Sequence, residues 1–72
     1  MRVVVEGVIC EMRDDRQGLP MVKVETTDGN FVKIPMSRDQ VLQFKYAQFV
    51  CIILESTGIG FTVTKEQGEN NE

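Results

Sequence analysis

The chain has 72 residues, 42% of them hydrophobic and 26% charged, with a net charge of −3. That length holds one small domain, and the apolar content is too high for a disordered chain and too low for a membrane span. With no histidine present, every Ser-His, Cys-His and His-metal mechanism is excluded.

Met1-Arg2-Val3-Val4-Val5 has the charge and apolar start of a targeting segment, but Glu6 and Gly7 interrupt it before a signal core forms. A cytoplasmic protein is expected. Residues 3–12 are rich in β-branched side chains and predict a long first strand, with Gly7 marking a bulge or sharp bend. The charged segment Asp14-Asp15-Arg16-Gln17-Gly18-Leu19-Pro20 reads as a loop. Residues 21–27 then alternate, with Val22, Val24 and Thr26 on one face and Met21, Lys23 and Glu25 on the other. Residues 31–36 alternate as well, placing Val32, Ile34 and Met36 together.

Between these two strands Asp28-Gly29-Asn30 signals a hairpin. A two-residue turn at Asp28-Gly29 would mix apolar and charged side chains on both faces. A three-residue loop over Asp28-Gly29-Asn30 pairs Thr26 with Val32, Val24 with Ile34 and Glu25 with Lys33, and separates the faces. Asn30 then takes the left-handed position at the loop's end.

Ser37-Arg38-Asp39-Gln40 has the form of a capping box, and a helix of about two turns is predicted to run on through Tyr46. Leu42, Tyr46 and Phe49 are spaced to plug one end of a barrel. The continuous apolar run from Phe49 to Leu54 predicts the most buried strand. Residues 56–60 form a turn and residues 61–64 a last strand. Residues 66–72 read as a disordered acidic tail after a single domain over 1–65. Cys10 and Cys51 sit in apolar runs and are expected as buried thiols and not as a disulfide.

Three strands, a short helix and two more strands is the plan of the OB-fold, a five-stranded Greek-key barrel. The alternative is an SH3-like barrel, whose helical turn lies later in the chain. Along residues 6–54 the chain resembles the bacterial translation initiation factor one family, through Glu6-Gly7-x-Ile9, Val22-x-Val24-Glu25, Gly29, Val32, Ile34-x-x-Ser37 and Val50 to Leu54. The resemblance implies an OB barrel. The chain departs from the family at Ala47-Gln48, where the family has a glycine-aspartate pair, and in its acidic ending. No functional residue is carried over.

Residues 1–65 hold eight acids and eight bases, so Glu66, Glu69 and Glu72 account for the −3. A neutral body argues against tight non-specific nucleic-acid binding and leaves room for a local basic patch. No enzyme is expected: Ser37, Ser56, Cys10 and Cys51 have no activating histidine, and the adjacent carboxylates Asp14 and Asp15 read as solvated charge in a mobile loop. No metal or cofactor is expected, and Gly58-Ile59-Gly60 lacks a phosphate-loop lysine.

The polar face of the hairpin carries the candidate site. An OB barrel binds across its second and third strands, and an aromatic between lysines suits single-stranded nucleic acid. Phe31 would stack on a base. Lys23, Lys33, Arg13 and Arg16 would neutralise phosphates, with Met21 on the same face and Lys65 near it. The bland alternative has Phe31 packing over the barrel edge and Lys33 in an ion pair with Glu25. The expected partner is single-stranded DNA or RNA. The rival is a protein partner held on the same face, or a homodimer formed through a strand edge.

Overall fold

The computed structural model describes residues 1–58 and 61–65. The expected turn residues Ile59 and Gly60 and the acidic tail from Glu66 lie outside the described residues. The elements are β1 (Arg2–Asp14), β2 (Pro20–Thr26), β3 (Phe31–Pro35), α1 (Arg38–Val41), β4 (Phe49–Ser56) and β5 (Phe61–Lys65). The strands form one antiparallel sheet in the order β3-β2-β1-β4-β5.

β1 organises the sheet because it is long enough to serve two partners. Arg2 to Val8 pair with β4, and Gly7 to Asp14 pair with β2. Gly7 lies at the handover for a steric reason. A Cβ there would stand 2.0 Å from the Glu25 carbonyl oxygen, so only glycine lets the two backbones approach. The bulge itself is elsewhere, since the β1–β2 register shifts between Ile9 and Glu11, leaving Cys10 as the extra residue. One extra residue reverses which side chains face which way. Val8 points outward before the bulge, and Glu11 and Arg13 share their face with Lys23 and Met21 after it.

The β2–β3 hairpin has a three-residue loop, but one step earlier than the sequence predicts. Val24 pairs with Val32, Lys23 with Lys33 and Glu25 with Phe31. Thr26 meets Asn30, whose carbonyl accepts from the Thr26 amide at 2.7 Å. The loop is therefore Thr27-Asp28-Gly29. Gly29, at φ +90°, fills the left-handed position expected for Asn30, since it has no Cβ to clash. The Thr26 hydroxyl binds the Asp28 carboxylate and accepts from the Asn30 amide at 3.0 Å, which fixes the loop. The shift is two residues in register, so the faces stay segregated as expected.

The sheet is not closed, since no pairing joins β3 to β5 among the described residues, and its inner face packs Val5, Ile9, Val22, Val24, Ile34, Val50 and Ile52 together with Met36 and Phe44. Val32 on β3 and Val63 on β5 pack against this cluster from the two ends of the strand order. The sheet therefore curls about its apolar face. No charged or polar side chain is buried among the described residues.

The capping box forms as predicted: the Ser37 hydroxyl accepts from the Gln40 amide, and the Gln40 side chain accepts from the Ser37 amide. The helix stops after one turn, not two. The Gln43 and Phe44 amides bond three residues back, to Gln40 and Val41, and this tighter winding turns Phe44 into the core. Phe44 is 5% exposed, whereas Leu42, Tyr46 and Phe49, the expected plug, are 81%, 70% and 62% exposed. Ala47, at φ +68°, redirects the chain into β4. That strand alternates: Val50 and Ile52 are buried, while Phe49 lies on the uncovered outer face. Cys10 and Cys51 are half-buried and not joined in a disulfide. Among the described residues no helix is long and apolar enough to cross a membrane.

Candidate nucleic-acid interface on the outer face

Residues directly opposite one another in antiparallel strands present their side chains on the same face. The register therefore lays out the outer face in rows. One row runs Arg13, Met21, Pro35; the next runs Glu11, Lys23, Lys33; a third runs Phe49, Val8, Glu25, Phe31.

At the first row the β1–β2 loop folds over the sheet. Arg13, Asp15, Arg16, Met21, Lys33 and Pro35 line a groove of about 400 Å³. Met21 was expected on the open polar face, but it is only 6% exposed. Its direction is as expected, yet it belongs to the groove and not to the inner cluster. It offers an apolar floor in place of an exposed contact.

The loop that supplies Arg16 is built, not loose. The Asp15 carboxylate accepts from the Gln17 and Leu19 amides at 2.9 and 3.0 Å, a local side-chain turn. The Asp15 amide donates to the Leu19 carbonyl at 2.8 Å, and Gly18 takes φ +84°. Arg38 binds both Asp14 carboxylate oxygens, at 3.3 and 3.2 Å, and the Gly18 carbonyl at 3.0 Å. Arg38 thus ties the loop to α1. Both carboxylates stay at the surface, as expected of solvated charge, and each also has a local role: Asp14 anchors the loop and Asp15 shapes it.

The cations divide into engaged and unengaged groups. Arg13 and Lys23 both pair with Glu11. Their hydrogen bonds hold the Glu11 carboxyl below its ordinary value, Arg13 being the larger cause. Lys23 also stands 5.4 Å from the Phe31 ring centroid, within cation–π range. Lys33 and Arg16 make no ion pair among the described residues. Lys33 was expected opposite Glu25; the register puts it opposite Lys23 instead. Two ammonium groups across one strand pair repel, and Glu11 offsets one of them.

Phe31 is 60% exposed and does not pack over an edge. Phe49 shares its face, three strands away, and is as open. Sequence reasoning missed Phe49 because it lies in a continuous apolar run, where periodicity cannot tell the buried side from the open side. Lys65 does not join this face. Its ammonium donates to the Gln43 carbonyl at 2.7 Å and lies 5.4 Å from the Phe44 ring centroid, tying β5 to the segment after α1.

No family model matches the chain, and neither a curated protein nor a solved structure matches it significantly.

Proposed function

We propose that this protein is a non-enzymatic, cytoplasmic module that binds single-stranded nucleic acid across the outer face of β2 and β3. The observation that carries the reading is the pairing of cations without an ion pair with an open aromatic on one face. Lys33 and Arg16 border a groove with Arg13, and Phe31 stands open in the adjacent strand row beside Lys23. Phosphates would follow the cations while a base stacks on Phe31. The curled sheet, with the packing of Ile34 and Val63 on one core and a helix between β3 and β4, supports an OB-like barrel as the fold behind this face.

The test is fluorescence anisotropy with labelled single-stranded DNA and RNA at low and moderate salt. Binding tighter than about 10 μM that weakens as salt rises supports the reading. No binding at low salt, where charge attraction is strongest, overturns it. A protein-docking role is favoured by one separate feature, the outward pairs Val4–Ile53 and Val8–Phe49 on β1 and β4. A partner held there would bind independently of salt and of Lys33.

A further inference from the structure

The third row of the outer face carries an acid where a nucleic-acid surface ordinarily avoids one. Glu25 lies directly opposite Phe31 on one side and Val8 on the other, and Val8 lies opposite Phe49. The row spans three strand spacings, about 14 Å. Phe31, Val8 and Phe49 are all open to solvent. The hairpin register takes Lys33 away from Glu25, and Glu25 makes no side-chain hydrogen bond or ion pair among the described residues. A carboxylate without an ion pair thus shares a row with two aromatic rings, and the Lys23 ammonium reaches into that row, 5.4 Å from the Phe31 ring centroid.

A carboxylate has only acceptor capacity and repels phosphate, so this row does not track the backbone. It suits the bases. A base stacked on Phe31 brings its edge within reach of the directly opposed residue, because opposed Cβ atoms are about 5 Å apart. Cytosine and adenine present exocyclic amino donors, and guanine presents an imino and an amino donor. Thymine and uracil flank their one N–H with two carbonyl oxygens, which a carboxylate repels. Acidic side chains accept from the cytosine amino group for the same reason.

We infer that Glu25 is a specificity-determining residue that selects bases bearing an amino group, cytosine and adenine among them, over thymine and uracil. This rests on the nucleic-acid reading above and deepens it.

The experiment is a set of anisotropy titrations with cytosine, adenine and thymine or uracil homo-oligomers of about ten nucleotides, a length within the range one such barrel covers. DNA and RNA forms are run in parallel, so that a ribose preference is read separately from a base preference. Wild type is compared with Glu25→Leu, whose side chain is of similar size and has no acceptor for the amino group. The ratio of affinities is the readout, because removing a negative charge strengthens binding to every oligomer alike. Wild type is expected to favour cytosine and adenine over thymine or uracil roughly tenfold, the scale of one charge-assisted hydrogen bond. Glu25→Leu should bring that ratio to within about twofold with a nearly unchanged melting temperature. Equal binding of all oligomers by wild type, or a preference that survives in Glu25→Leu, overturns this inference and leaves the nucleic-acid reading standing. Failure of every oligomer to bind at low salt overturns both.

Discussion

The two faces of β2 are separated by single residues and do different work. Val22 and Val24 are fully buried beneath the curled sheet, while Lys23 and Glu25 lie on the open face beside Phe31. The inner face holds apolar carbon and no buried charge. The outer face holds the charges, the open rings and a groove. Alternation therefore divides the chain into residues that set stability and residues available to a ligand, and substitutions on the two faces should have effects of different kinds.

The largest effect is expected on the inner side. Ile52 is fully buried, and Ile52→Ala should lower unfolding free energy by about 2–5 kcal/mol in urea denaturation. For a domain this small that is a large share of the total, roughly 4–10 kcal/mol. Phe31→Ala should show the opposite profile. It should weaken oligonucleotide binding by about 1–3 kcal/mol and leave the urea midpoint nearly unchanged. Comparable stability losses from both substitutions would break the division between faces.

A smaller effect is expected at the helix cap. Ser37→Ala removes the hydroxyl that accepts from the Gln40 amide and should cost about 1 kcal/mol of stability. Because Arg38 ties α1 to the β1–β2 loop, calorimetry together with titration would show whether the groove depends on that anchor. On the outer face, Lys33→Ala should reduce the salt dependence of binding by about one unit of slope.

The smallest effect is electrostatic. The folded state holds the Glu11 carboxyl below its ordinary value through Arg13 and Lys23, and that of Asp28 through Thr26. A carboxyl depressed on folding contributes stability above its unfolded pKa and loses it as pH falls through the folded value. Stability should therefore decline gently as pH drops below about 4.5, and Glu11→Gln should remove part of the decline. Both groups are solvent-exposed, so added salt should flatten the effect.

Much of the architecture is legible in the residues. Strict alternation over 21–27 and 31–36 marks both faces of the hairpin, and Ser37 and Gln40 mark the cap. Register is harder. A slip of two residues keeps every side chain on its face, so hydrophobic pattern cannot distinguish Glu25 opposite Lys33 from Glu25 opposite Phe31. That choice rests on whether Gly29 or Asn30 takes the positive φ. The bulge at Cys10 is silent for another reason: an apolar residue next to Ile9 carries no turn signal, yet it is what turns Arg13 to the outer face. In the segment after α1, Leu42, Phe44, Tyr46 and Phe49 are all large and apolar, so residue pattern alone does not choose which of them enters the core. Only the i→i+3 turns at Gln43 and Phe44 select Phe44.

The site was legible in part. Lys23, Lys33 and Phe31 follow from alternation alone. The burial of Met21 and the convergence of Arg13 and Arg16 on the groove depend on loop geometry set by Asp15 and Arg38, which residue pattern does not encode.

The most direct test maps contact residue by residue. A ¹⁵N–¹H titration of the protein with an unlabelled single-stranded oligonucleotide should shift the amides of Lys23, Glu25, Phe31 and Lys33, with those of Arg13 and Arg16. The buried Ile52 and the β5 residues should stay in place. Shifts confined to Val4, Ile53 and their neighbours on β1 and β4, or no shifts at low salt, would contradict the assignment of this face to nucleic acid.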